Sequence, residues 1–295
     1  MPALRDAPAE RDPAALLEFG VVNLDKPPGP SAHQVSAWVR DLLDVEKAAH
    51  AGTLDPKVTG CLPVMTGAGT RLAPALLEGA KSYVAVLELH DDPPGDLESV
   101  VGAFADEIYQ KPPKKSAVAR RLRTRTVHDL EVLEVRDRQA LLDLDCESGT
   151  YVRKLCHHLG LALGTGAHMG DLRRTGTEPF DDSDLVTLHD LADALAFWRE
   201  DDDPTWLREV VDPAERALEH LPAVTVARSA AREIAEGAPV YAPGIVDADD
   251  ELADAHHDAI VACYTPDGSA VCLGTLVADP ASEKGEVVSL ERVLV

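Results

Sequence analysis

The segment His50-Ala51-Gly52-Thr53-Leu54-Asp55-Pro56 places one carboxylate in a stretch whose small and rigid neighbours dictate its shape. Gly52 tolerates backbone angles closed to other residues, while Pro56 fixes its own φ and pushes Asp55 out of the helical region. An acid held in this way suits work as a nucleophile or general base. Asp-Pro as a simple turn starter is the plainer alternative. Thr59-Gly60 and the apolar run Cys61-Leu62-Pro63-Val64-Met65 follow, so Asp55 is expected on a loop that feeds a buried strand. A second chemical feature is cationic. Lys111, Lys114, Lys115, Arg120, Arg121, Arg123 and Arg125 fall between residues 111 and 125 with no acid among them. The whole chain carries 52 acidic against 28 basic side chains and a formal charge of -24. A run that defies this bias reads as a phosphate-contacting strip, with a solvated face as the alternative.

The elements that must hold these groups are legible in outline. Ser31 and Gln34 form a capping-box pattern ahead of Val35, Trp38, Val39, Leu42 and Leu43, which recur at helical spacing, so a helix leads toward the Asp55 loop. Residues 82–89 and 140–146 read as strands of a mixed sheet, with Asp143 and Asp145 on the wet side. An amphipathic helix is expected from Tyr151 through Leu163, closed at Gly164, and another from Thr187 with Asp190 completing its box. The acidic stretch 200–204 is expected to end that helix as a surface loop. Val224–Val226 reads as strand, 229–236 as a short helix stopped by Gly237, and Thr265-Pro-Asp-Gly268 as a turn between two strands, giving a compact β-rich module from about Pro222.

Composition bounds the function. A chain of 295 residues with 45% hydrophobic content allows one large domain and a small one. Acidic proteins repel phosphates, and that conflict disappears if the acids decorate the surface of a protein from a very salty cytoplasm, where repulsion is screened within a few Å. No apolar run reaches membrane-spanning length and the N-terminus resembles neither a secretory signal nor a transit peptide, so a cytoplasmic, membrane-free protein is expected. The cysteines at 61, 146, 156, 263 and 272 lack Cys-x-x-Cys spacing and are expected to be reduced and mostly buried. Cys156-His157-His158 is a poor metal site, because adjacent helical positions diverge, and His256-His257 lies in an acidic loop.

The run from His50 to Gly60 closely resembles the catalytic motif of the TruB-type pseudouridine synthases, and its Pro56-Lys-Val-Thr-Gly60 ending resembles the dyskerin branch, the catalytic subunits of archaeal and eukaryotic H/ACA guide-RNA particles. The resemblance extends over nearly the whole chain. It implies an α+β fold, with a mixed-sheet synthase domain at 21–215 behind an N-terminal extension (1–20) and a small β-rich PUA barrel at 216–295. The last of these rests on Glu236-Gly-Ala-Pro-Val-Tyr-Ala-Pro-Gly244-Ile. It implies isomerisation of uridine in rRNA or tRNA with Asp55, ionised, as nucleophile or general base and with neither metal nor redox cofactor. Lys81-Ser82-Tyr83 then supplies the tyrosine that stacks on the flipped uracil and takes a proton during rearomatisation, a core tyrosine and an exposed Lys81 being the alternatives. Gly149-Thr150-Tyr151-Val152-Arg153 matches the family's Gly-Thr-Tyr-x-Arg, so Tyr151 supports the site and Arg153 sets a permanent cation beside Asp55. His50 is expected either to position RNA or to be structural. Gln110 to Ala117 resembles the family's Gln-x-Pro-Pro-x-Lys-Ser-Ala, with Ala119 where many relatives carry another base, and Arg173-Arg174 matches a segment that closes the site, here read as RNA contacts. The implied partners are an H/ACA guide RNA, the substrate RNA, two small accessory proteins and a kink-turn-binding ribosomal-type protein. A guide-independent T-loop synthase and a scaffold without turnover are the competing readings.

Overall fold

The computed structural model describes residues 4–113, 119–253 and 258–295. Ten strands form the larger sheet: β1 (Gly20–Lys26), β2 (Ala48–His50), β3 (Thr59–Thr66), β4 (Lys81–Leu89), β5 (Glu107–Gln110), β6 (Arg123–Arg136), β7 (Gln139–Cys146), β8 (Ala167–Thr177), β9 (Phe180–Asp181) and β10 (Asp212–Pro213). Their spatial order is β10-β1-β3-β8-β4-β7-β6-β5, with β2 on β3 and β9 on β8. The expected mixed sheet is present, because β3 and β8 run parallel while their neighbours pair antiparallel. That parallel pair matters for the site. It sets Thr59 and Gly60, just beyond the Asp55 turn, against Arg173 and Arg174.

Burial follows the pattern of apolar residues. Along β3 every residue from Gly60 to Thr66 is buried, whereas β7 alternates and leaves Asp143 and Asp145 exposed, as a one-sided strand must. The helix Ala32–Leu43 starts at the Ser31–Gln34 capping box and packs Val35, Val39 and Leu43 into the core. The helix Val152–Ala162 buries Val152, Leu155, Cys156 and Leu159, and Gly164 beyond it has φ 74. The helix Leu188–Asp201 also has its expected box, but it includes Glu200 and Asp201. Only Asp202, left-handed at φ 58, stops it, so the acidic loop begins later than the sequence suggests.

The second sheet contains β11 (Ala223–Val226), β12 (Val240–Tyr241), β13 (Ile245–Ala248), β14 (Ile260–Tyr264), β15 (Ala270–Leu276) and β16 (Glu286–Val293), in the order β12-β16-β15-β14-β11-β13. The two ends of that path, β12 and β13, are joined by Ala242–Gly244 alone, a span too short to let them separate far, so the sheet curls back on itself as a small barrel does. One apolar cluster crosses between the sheets, combining Phe19, Leu72 and Leu218 with Ala262, Leu273 and Leu294. Beside it the buried Arg11 donates to both carboxylate oxygens of Glu215 at 2.7 and 2.6 Å, and Glu215 Oε1 also accepts from Ala270 N at 3.0 Å. All five cysteines are free and buried. Among the described residues no helix is long and apolar enough to cross a membrane.

Candidate active site

Asp55 sits between two glycines whose backbones no other residue would copy cheaply, Gly52 at φ 79 and Gly60 at φ 94. At Gly60 a Cβ would lie 2.2 Å from the carbonyl oxygen of Arg174, so close approach of β8 as well as conformation demands glycine there. The turn is closed by Val58 N donating to Asp55 O at 2.9 Å and tied to the chain after β1 by Gly29 N donating to Pro56 O at 2.8 Å. Arg153 Nη2 donates to Asp55 Oδ2. Both side chains are about half exposed, at 53% and 55%, so this ion pair orients the carboxylate more than it stabilises the fold.

Arg153 is aimed by the start of its helix. Tyr151, half-buried at the helix N-terminus, is clamped through its backbone by Gln110, which accepts from Tyr151 N at 2.8 Å and donates to Tyr151 O at 3.3 Å. Gln110 is itself buried at the end of β5, so the sheet fixes the turn from which Arg153 projects.

Three buried cations surround the acid turn. Lys26, fully buried at the end of β1, donates to Pro56 O at 3.1 Å, Val58 O at 2.8 Å and Pro27 O at 2.9 Å, gripping the carbonyls that follow Asp55, and its burial lowers the ammonium pKa. Arg174 corrects the sequence reading. Expected as an RNA contact, it is 1% exposed and donates to Cys61 O at 2.7 Å, Ala51 O at 3.3 Å and Gly52 O at 3.4 Å. Its place is internal because β8 lies between β3 and β4 and this position faces the turn. Lys81 is likewise buried rather than an exposed cation, its amine bonded to Leu76 O and Gly79 O and its pKa pushed down to about 8 by burial and by Arg174.

Tyr83, half-buried, is the register partner of Arg174 across β4 and β8. Burial pushes its phenol pKa up, and the Arg174 guanidinium opposes that shift. His50 stacks edge-on to His33 at 4.8 Å between ring centres. Burial, His33 and Arg174 lower its pKa to about 4, which makes it a neutral imidazole at pH 7.

The structure therefore brings Asp55 and Arg153 into contact and places Tyr83, His50, Lys81 and Arg174 around the same turn. Lys111 and Arg121 are exposed, Arg120 donates to Pro112 O and Arg123 to Ala119 O, while Arg125 pairs with Glu147 at 3.1 Å. Lys114 and Lys115, like His256 and His257, lie outside the described residues. Arg173 is partly exposed and pairs with Asp25 at 3.0 Å. No metal-holding group of His, Cys, Asp and Glu exists among the described residues. Lys26 and the Gln110 clamp escape sequence reasoning. The available signal is a lysine ending an apolar strand immediately before Pro27-Pro28-Gly29.

Comparison with known proteins covers the same residues. Models of the TruB family pseudouridylate synthase N-terminal domain, the tRNA pseudouridylate synthase B C-terminal domain and the PUA domain match residues 40–96, 153–219 and 222–294, and the DKCLD (NUC011) domain matches 6–36. A "Probable tRNA pseudouridine synthase B" of Halobacterium salinarum is 69% identical over 99% of each chain, and its Haloarcula marismortui counterpart is 60% identical over 99% of this chain and 94% of its own. Among solved structures, a Cbf5-Nop10-Gar1 complex gives a TM-score of 0.93 at 44% identity, covering 100% of this chain and 91% of that one. An H/ACA RNP bound to a substrate RNA containing 2'-deoxyuridine gives 0.91 at 42%, with the same coverage.

Proposed function

The chain belongs to the TruB family of pseudouridine synthases, and we propose that it is the catalytic subunit of an archaeal H/ACA guide-RNA particle that isomerises uridine in rRNA or tRNA. The observation that carries this reading is the Arg153–Asp55 ion pair on a turn gripped from both sides by buried cations. An acid held so firmly, yet half exposed, is open to a base extruded from RNA.

In this reading the target uridine is flipped into the site and Asp55 acts as nucleophile or general base, at carbon six of the ring or at the ribose. The bond from N1 to C1' breaks, the uracil rotates, and a bond from C5 to C1' forms. The C5 proton leaves and N1 gains one, so the reaction is an isomerisation without redox change. Arg153 holds the carboxylate in line, Tyr83 stacks on the base and takes the C5 proton, Tyr151 supports Arg153, and His50 serves as a neutral wall or RNA contact. Excluding water keeps the detached base from escaping.

Lys111, Lys114, Lys115, Arg120, Arg121, Arg123, Arg125 and Arg173 serve as phosphate contacts, and the module at 216–295 grips the guide RNA, with the synthase domain at 21–215. Two small accessory proteins and a kink-turn-binding ribosomal-type protein complete the particle in the cytoplasm. The similarity to a Cbf5-Nop10-Gar1 complex supports the two small accessory proteins. The names of the haloarchaeal relatives favour a second reading, an unguided tRNA enzyme. Tritium release from uridine labelled at carbon five, in multimolar KCl with accessory proteins, separates the two. Release that follows an added guide supports the particle, and release only from an unguided T-loop supports the second reading.

A further inference from the structure

Two arginines among the described residues are fully buried, and Arg174 alone of the pair lacks a carboxylate within ion-pair distance. Leaving a cation buried without a counter-ion is costly, and three backbone carbonyls compensate it by dipoles rather than by charge. Its surroundings show where the uncompensated charge acts. A Cβ on Gly52 would sit 3.1 Å from Arg174 Nη1, so the guanidinium lies directly beneath the Asp55 turn. On the other side Arg174 is directly opposite Tyr83 in the antiparallel pairing of β4 and β8, which puts both side chains on one face of the sheet. The turn does not depend on Arg174 alone, because Lys26 holds its far end.

We propose that Arg174 is a positioning residue for proton removal from carbon five: its buried guanidinium, steadied by the carbonyls of the acid turn, presents its charge to the Tyr83 oxygen. This rests on the reading that Asp55 and Tyr83 carry out the isomerisation. In the step itself the C5–H bond breaks and its electron pair forms the C5–C6 double bond as the C6–N1 π pair moves onto N1, which gains a proton; the C5 proton passes to Tyr83 as phenolate, which becomes phenol. The neighbouring cation favours the phenolate that this step needs, against burial, which on balance still holds the phenol pKa above its ordinary value. A carboxylate partner for Arg174 would cancel this effect.

The test uses the assembled particle with a guide and two matched targets, one with uridine deuterated or tritiated at carbon five and one with 5-fluorouridine, which has no C5 proton to lose. Arg174→Gln keeps donors for the turn but removes the charge. Release from the uridine target is expected to fall by about 100-fold, the scale of a misplaced reacting group, with a primary deuterium effect absent from the parent chain. Rearrangement of 5-fluorouridine and guide binding are expected to change by less than a few fold. Arg174→Lys, with its charge kept and its reach shortened, falls between and carries the test where the Gln chain does not fold. Equal slowing of both targets without an isotope effect, or no slowing, overturns the proposal. Asp55→Asn is the separate control. If it stays active on both targets, the underlying reading fails whatever Arg174 does.

Discussion

Arg174 beneath the acid turn and Arg11 at the junction of the two sheets are both fully buried, yet they are satisfied in opposite ways. Arg11 meets Glu215 with two short hydrogen bonds, and Glu215 also accepts from a backbone amide of the second sheet. Its charge is cancelled locally, and what remains is a geometric lock between domains. Arg174, like Lys26 and Lys81 near it, is held by backbone carbonyl oxygens, and no carboxylate among the described residues lies within ion-pair distance of it. Its charge therefore adds to burial and His33 in lowering the pKa of His50 and opposes the burial shift at Tyr83. The same residue type thus builds a joint in one place and an electrostatic environment in the other. Whether a carboxylate is supplied decides which.

The difference can be broken experimentally. Arg11→Met leaves Glu215 buried and unpaired and should cost about 3–5 kcal/mol of stability, read as a lower urea midpoint, while turnover per folded molecule stays near that of the parent. Adding Glu215→Leu should return most of the loss. If Arg11→Met instead slows turnover of folded protein, the lock is part of the chemistry and the contrast fails. Arg153→Gln should do the reverse, lowering turnover by about 100-fold through a misdirected carboxylate with a small change in midpoint, since its ion pair is half exposed. Replacing Arg120, Arg121 and Arg123 with Gln should weaken guide binding and reduce the slope of log affinity against log salt by about 0.7–0.9 for each phosphate that the strip no longer neutralises. An unchanged slope would remove the strip from the RNA interface.

The smallest expected effect is at His50. Its folded pKa lies near 4 against 6.5 for the free side chain, so between those values the unfolded chain binds the proton and the folded chain does not. Stability therefore falls as pH drops from 6.5 toward 4, and His50→Gln should flatten that part of the profile in paired unfolding curves at pH 7 and 5.

Much of this is readable from local chemistry. The Ser31 and Thr187 caps, the alternation along β7 and the Thr265–Gly268 turn each follow from residues within a few positions of one another. Asp55 stands out because Gly52 and Pro56 leave the turn little choice of shape. Arg174 defies the sequence reading, and Lys81 its exposed alternative, because charge normally means surface, and only the strand order, with β8 inserted between β3 and β4, turns them inward. Lys26 shows itself in the sequence only as a lysine ending an apolar strand, and its role is hidden for a related reason. Its partners, Pro56 O and Val58 O, lie about thirty positions away in the chain and are backbone atoms that carry no signal in sequence. The pairing of β6 with β5 and the Gln110 clamp on Tyr151 are equally products of contact between distant segments.

The proposed isomerisation turns on the held carboxylate of Asp55 performing the chemistry. The decisive experiment is C5 tritium release by Asp55→Asn in the assembled particle with a matched guide and target, with guide binding measured on the same preparation. Release is expected to be abolished while binding is retained. Full release from the Asn chain would mean that another group carries out the reaction.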